Sequence, residues 1–265
     1  MRGSLSTFIL AAAMAATLLL SGTDACARKL RVGIGFAIPP YVISQEDAGL
    51  EVDVIRSAMR AAGLEAQFVY LPNLRLPLAY AEEEVDCLAI TLGYELEGQT
   101  GRKTWYSGST VTFQNYAVSL ADRGLHVDSI PDLTKYDVLG FQDADNYLGP
   151  DFAAMTAGNA RYKELSDQAL QVRMLFSGRV DVIISEGRVF HYWLNRLKSS
   201  TVAKSVNLNQ DVAFSRLFPA QPRGVAFADK HLRDRFNEGL AAIRANGTYD
   251  GILLRYDRLE YHPGN

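Results

Sequence analysis

Glu84-Val85-Asp86-Cys87-Leu88-Ala89-Ile90 and Arg179-Val180-Asp181-Val182-Ile183-Ile184-Ser185 share one reading. In each, a helix ends, Val-Asp follows, and an apolar run heads toward a polar residue. An apolar run of this length and composition is that of a strand buried on both faces. Such strands belong to open α/β sheets, in which ligands bind beyond the carboxyl ends of the strands. The segments after Ile90 and after Ile184 are therefore where a site is expected, one in each half of the chain.

The neighbouring sequence supports that class. Leu30 to Ile34 is apolar and β-branched, and a loop with Pro39 and Pro40 follows. From Gly49 onward Val54, Ile55, Ala58, Met59, Ala62 and Leu64 recur at helical spacing, with Gly63 as a natural stop. Ala66 to Leu71 reads as a strand, Leu74 to Glu83 as a helix disturbed by Pro77, and Val85 to Thr91 as a third strand. This βαβαβ order predicts a mostly parallel sheet with helices on its faces. Val111 to Leu120 is long and β-rich, and the pattern then restarts. Strands are expected at Tyr136 to Phe141 and Val180 to Ser185, with helices at Tyr147 to Gly158, Asp167 to Phe176 and Val189 to Leu197. A last section holds a strand at Gly224 to Ala228 and helices at Leu232 to Ala245 and Tyr249 to Tyr256.

Arg2, the apolar run Phe8 to Leu20 and the small-x-small site Ala25-Cys26-Ala27 read as a secretory signal peptide over residues 1–27. The run is short of the ~20 residues a membrane span needs, and Thr23-Asp24-Ala25 fits a lipoprotein signal poorly. The formal net charge is −3, which argues against nucleic acid and against electrostatic binding to membranes. An apolar content of 48% supports an ordinary core rather than a disordered chain. Once Cys26 is removed with the signal, Cys87 stands alone and is read as a buried, inert thiol.

The motifs, taken in order, resemble the extracellular solute-binding proteins of the polar amino-acid uptake family. They are Leu30 to Tyr41, Gly49-Leu50-Glu51-Val52-Asp53-Val54, Glu84-Val85-Asp86, Trp105-Tyr106-Ser107, Ile130-Pro131-Asp132-Leu133, Ser177-Gly178-Arg179-Val180-Asp181 and Asn246-Gly247-Thr248-Tyr249. Each is weak alone; in register they cover nearly the whole chain after the signal. The resemblance implies the type II periplasmic-binding fold, with two α/β lobes, each a mostly parallel sheet flanked by helices, joined by a two-strand hinge. It places one lobe at 28–118 plus 221–265 and the other at 119–220. It implies a small polar solute as ligand, the membrane permease of an ABC transporter as partner, hinge closure, a periplasmic monomer and no cofactor.

An amino-acid zwitterion needs a cation for its carboxylate and an anion for its ammonium. The family supplies an Arg after the third strand. Arg102 matches it, although the spacing from Asp86 is about four residues too long; Arg75, in a Pro-x-x-Arg at a helix start, is the rival. The planar fork of Arg suits a carboxylate. Glu186, five residues after Asp181, stands where the family places its ammonium-binding acid. Thr91 and Gly93 follow the third strand and are ligand candidates. Phe36, Tyr41 and Tyr94 are candidate aromatic walls. Gln142-Asp143-Ala144-Asp145 replaces the family's Gly-Thr turn, so Asp143 and Asp145 occupy a helix start that ordinarily attracts an anion.

Catalytic and metal patterns fail. Gly33-x-Gly35 does not continue to a third Gly, the four histidines have no metal spacing, and no Gly-x-Ser-x-Gly elbow occurs. The chain is therefore read as a binding protein rather than an enzyme. Two alternatives stay open. One is a cyclohexadienyl-dehydratase-like enzyme on the same fold, with Glu186, Asp143 or Asp145 as proton donor if buried. The other is a ligand-sensing accessory protein.

Overall fold

The computed structural model describes residues 28–260, so the expected signal segment, residues 1–27, lies outside the described residues. Two five-membered strand paths form the framework. The first sheet runs β4(Leu64–Leu71), β1(Arg28–Gly35), β5(Cys87–Thr91), β13(Gln221–Phe227), β6(Trp105–Tyr106), with β7(Val111–Phe113) also on β13. The second runs β10(Lys163–Leu165), β9(Val138–Phe141), β11(Val182–Glu186), β8(Asn115–Leu120), β12(Val212–Ser215). A small hairpin, β2(Ala37–Ile38) with β3(Val42–Ile43), follows β1. Each sheet carries one lobe of the α/β fold.

Both sheets are mixed. β4, β1 and β5 are parallel, as are β10, β9 and β11. The strands that return from the other lobe, β13 in the first sheet and β8 in the second, pair antiparallel. Helical crossovers account for the parallel part, as the βαβ pattern requires.

The first crossover helix, α1(Leu50–Ala61), begins at Gly49, whose φ is 135°. A Cβ there would lie 2.2 Å from the Tyr41 carbonyl oxygen, so only glycine fits. α1 buries Leu50, Val52, Val54, Ile55, Ala58 and Met59, the last four of which its periodicity anticipated, whereas Ala62 is its C-cap and Leu64 opens β4. α2(Leu76–Ala81) carries Pro77 in its first turn, where the missing N–H costs nothing, and α3(Leu96–Thr100) follows β5. In the second lobe α4(Ala144–Tyr147), α5(Pro150–Gly158), α6(Gln168–Phe176) and α7(Gly187–Lys198) flank the sheet. The expected single helix from Tyr147 is divided at Gly149 (φ 93°), with Pro150 opening α5. Asp167 caps α6 by accepting from Leu170 N at 2.9 Å. α8(Lys230–Ala245) and α9(Thr248–Glu260) return to the first lobe.

The expected long strand Val111 to Leu120 is real but changes sheets at Gln114. β7 pairs with β13 and β8 with β12, so one antiparallel ribbon runs through both sheets. Its centre is tied by side chains. Gln114 Nε2 donates to the Phe218 carbonyl at 2.9 Å, and Asn115 Nδ2 reaches Gln221 Oε1 at 3.5 Å. Behind this ribbon α7 packs against α9, and Trp193 touches the core clusters of both lobes. Cys87, at the start of β5 beside Val32 of β1, is fully buried, and burial pushes its thiol well above the ordinary range. Among the described residues no helix is long and apolar enough to cross a membrane.

Candidate functional site

The carboxyl ends of β1, β4 and β5 face those of β9 and β11 across the ribbon. This is the edge at which open α/β sheets bind ligands. On the first-lobe side it is built around Arg223 of β13, which stands opposite Thr91 in the antiparallel register. Arg223 Nε donates to both oxygens of Glu51, at 2.9 and 3.0 Å. Its Nη1 lies 3.4 Å from Thr91 Oγ1, and its guanidinium carbon sits 4.7 Å from the centre of the Phe113 ring. The pair is withdrawn from water, with Glu51 at 1% and Arg223 at 13% side-chain exposure. A buried carboxylate requires such a partner.

Phe113 continues the line. Its ring lies 4.4 Å from that of Tyr41, which is fully buried. The Tyr41 hydroxyl donates to Glu186 Oε1 at 3.0 Å, and the Arg188 Nη1 group approaches the same hydroxyl at 3.4 Å. Glu186 also accepts from Gln114 N at 3.2 Å and, as N-cap of α7, from Val189 N at 3.1 Å. Desolvation pushes the Glu186 carboxyl above its ordinary value, and its three donors oppose that shift. Arg188 then bonds Asp257 of α9 at 3.0 Å. An unbroken chain of contacts thus runs from Glu51 in the first lobe to Glu186 in the second.

The second-lobe side is shaped by Asp143, which adopts a left-handed conformation (φ 61°) after β9. The backbone N–H groups of Asp143 and Asp145 both donate to Glu164, at 2.7 and 3.3 Å, and Tyr162 donates to the same carboxylate at 2.7 Å. The helix start is therefore filled by Glu164 of β10. The sequence pointed to Asp143 and Asp145 themselves as its occupants; instead their amides are the donors. Partial burial pushes the phenol of Tyr147 above its ordinary range, with the charge of Asp143 raising it further and that of Arg223 lowering it, and the Tyr147 carbonyl accepts from Gln221 Nε2 at 3.1 Å.

The remaining sequence candidates are distributed as follows. Tyr94 donates to Gln99 Oε1 at 2.8 Å; Gly93 is exposed with φ 88°. Phe36 is half exposed beyond β1. Next to Tyr94 a recess of about 540 Å³ is lined by Leu92, Gly93, Tyr106, Glu95 and Glu97. The two rival cations are held within the first lobe. Arg102 donates to the Tyr80 carbonyl at 2.6 Å and the Val85 carbonyl at 3.4 Å, and its guanidinium stacks on Tyr80 at 4.6 Å. Arg75 bonds Glu84 at 2.8 Å and lies 3.7 Å from Glu82. The structure does not bring either of them to Glu186. It does bring Arg188 to the Tyr41 hydroxyl beside Glu186 and Arg223 to the other end of the contact chain; the second escaped the sequence reading because the expected strand began at Gly224. Its partner Glu51 was visible only as part of a motif. Among the described residues no group of three His, Cys, Asp or Glu could hold a metal ion.

Comparison with known proteins agrees with this architecture. The model of the bacterial extracellular solute-binding proteins, family 3, matches residues 30–258. The chain belongs to that family of solute-binding proteins. Among solved structures it is similar to the arginine-, lysine-, histidine-binding protein ArtJ from the thermophilic bacterium Geobacillus stearothermophilus. The two share 20% identity and a TM-score of 0.63, over 88% of this chain and 100% of that one. It is also similar to a histidine kinase sensor domain that itself resembles periplasmic binding proteins, at 21% identity and TM-score 0.66, over 87% and 96%. The GluR0 ligand-binding core in complex with L-glutamate gives 17% identity and TM-score 0.68, over 87% and 98%. At these identities the likeness is one of fold. No curated protein matches the chain.

Proposed function

We propose that the chain is an exported protein that captures a small polar solute, an amino acid or a related amine or carboxylate, between its lobes. It passes the solute to the membrane permease of an ABC-type importer in the periplasm, working as a monomer. Family membership supports the solute-binding role. The observation that carries the reading is the contact chain from Arg223 through Phe113 and Tyr41 to Glu186, because it joins the cleft edges of both lobes across the ribbon. A solute that touches Thr91 and Arg223 on one side and the Asp143 turn on the other bridges the lobes and favours the closed arrangement by hinge motion. Lobes at 28–118 plus 221–265 and at 119–220 fit this motion.

Thermal-shift and calorimetric screening of the mature chain against amino acids, amines and small carboxylates tests the reading. Stabilisation by at least one of them is expected, since a ligand that binds only the native state raises its melting temperature. A flat response to every solute sinks it. Conversion of arogenate or prephenate in the same samples would replace it with a dehydratase reading. Amino-terminal sequencing of the exported chain tests cleavage after Ala27.

A further inference from the structure

We propose that the first lobe carries a second binding site, between α1 and α9, that takes a phosphoryl group through Arg60 and Arg255. The site is a recess of about 420 Å³. On α1 its wall is Asp53, Arg56, Ser57 and Arg60; on α9 it is Thr248, Gly251, Ile252 and Arg255. Both sets are spaced i, i+3, i+4, i+7, so each lies on one face of its helix. The two helices run antiparallel, because Asp53, early in α1, meets Arg255 and Tyr256, late in α9. Arg60 at the end of α1 therefore lies toward Thr248 at the start of α9, where the helix dipole is positive. None of these eight residues belongs to the contact chain that joins the lobes.

The charges on this wall are unequally spent. Asp53 is its one carboxylate among the described residues. It already accepts from Arg56 Nη1 at 3.1 Å, from the Tyr256 hydroxyl at 2.8 Å and from Arg255 Nη1 at 3.3 Å. Arg56 gives its Nη2 to Asp47, at 2.7 and 2.8 Å, and lies over the Phe68 ring. Arg60 is exposed, and among the described residues no acceptor reaches its guanidinium. Arg255 is also exposed and keeps Nε and Nη2 without an acceptor. Ser57 and Thr248 add hydroxyls. Donors converging from two helices suit the three oxygens of a phosphoryl group, whereas a planar carboxylate needs a single fork. Gly251 forms the floor. Glycine inside a helix is unfavourable relative to alanine, and packing does not require it here, since a Cβ would meet nothing within 4 Å. It leaves the recess open. At about 30 Å³ of liquid volume per water, the space equals roughly fourteen waters, so a phosphoryl group enters with part of the molecule that bears it.

Calorimetric titration of the full mature chain with inorganic phosphate, pyrophosphate and glycerol 3-phosphate, at low ionic strength, tests this. Saturable one-to-one binding of at least one probe is expected. Arg60→Gln and Arg255→Gln should each weaken it about tenfold or more, as loss of a charged hydrogen bond does. Neither variant threatens the fold, since Arg60 holds no acceptor and Asp53 keeps Arg56 and Tyr256 when Arg255 is replaced. Gly251→Leu preserves every charge but fills the floor, and should abolish binding. Arg179→Gln, an exposed charge of the other lobe, should bind as the wild type does. Co-sedimentation with vesicles of phosphatidylglycerol and phosphatidylcholine separates the sources. Vesicle binding that glycerol 3-phosphate displaces and Gly251→Leu abolishes places the phosphoryl group on a lipid; binding of the free anions alone places it on a soluble molecule. No binding of any probe overturns the inference. So does unchanged affinity in Gly251→Leu, or an equal loss in Arg179→Gln, because either leaves charge attraction without a site. The cleft reading is tested separately by the solute screen and stands or falls without this one.

Discussion

The Tyr41 hydroxyl donates to Glu186 Oε1 at 3.0 Å, joining the loop after β1 in one lobe to the end of β11 in the other. The two residues are 145 positions apart, and both are buried. The hydroxyl is one of three donors that keep an otherwise desolvated carboxylate satisfied. Tyr41→Phe removes that donor while preserving the ring stack on Phe113. A loss of about 1.5–3 kcal/mol is expected, as for a hydrogen bond to a charged group. Urea denaturation measures it, and an unchanged midpoint would show that the bond contributes nothing.

Glu186 also gives stability a pH dependence. Its folded-state carboxyl is raised by desolvation above its unfolded value. Between the ordinary glutamate pKa of about 4.3 and the raised value, the native state holds more protons than the unfolded chain. Stability contributed by this group is therefore fully present below the unfolded pKa and is lost as pH rises through the folded one. Glu186→Gln lacks that fall. Denaturation curves from pH 4 to 7 compare the two, and parallel pH profiles would refute the assignment.

Glu164 closes the turn at Asp143. Glu164→Ala leaves the amides of Asp143 and Asp145 and the Tyr162 hydroxyl without their acceptor. A cost of about 1–3 kcal/mol is expected, reduced to the extent that water replaces the carboxylate. Thermal melting reads it directly; equal melting temperatures would mean that the turn does not need this side chain.

Arg102 is a structural cation. Arg102→Ala removes two bonds to main-chain carbonyls and a stack on Tyr80. Stability should drop by about 1–3 kcal/mol, with solute affinity unchanged within twofold. A tenfold loss of affinity at constant melting temperature would return Arg102 to the cleft.

Gly239 lets α8 approach the backbone of α1 closely. A Cβ there would lie 2.1 Å from the Ala58 carbonyl oxygen, which is main chain and cannot swing away. Gly239→Ala is expected to destabilise by about 1–3 kcal/mol through overpacking, despite the higher helix propensity of alanine. A stabilised variant in chemical denaturation would contradict the close helix contact.

The fold was legible because its signals are local. The Val-Asp-strand units, the helical spacing of α1 and the stop at Gly63 each depend on residues within one turn or one strand. Short strands such as Trp105–Tyr106 and Lys163–Leu165 were missed, since two or three residues carry no period. The break at Gln114 was invisible for a related reason. Both halves of that ribbon are equally β-rich, and only their different partners, β13 and β12, divide them.

The sequence by itself determined the α/β class and the family resemblance, and it pointed to Glu186, Thr91 and the Asp143 turn as places to look. Tertiary structure alone decided which charges meet. Arg102 reaches main-chain carbonyls 22 and 17 residues back along the chain, whereas Arg223 reaches Glu51, 172 residues away, and Thr91, 132 residues away. Glu164 takes the turn that the two aspartates adjoin in sequence. Backbone periodicity is fixed by neighbours along the chain. The pairing of buried charges is fixed by which of them the packed sheets desolvate together, because an unpaired buried charge costs more than the fold can offset.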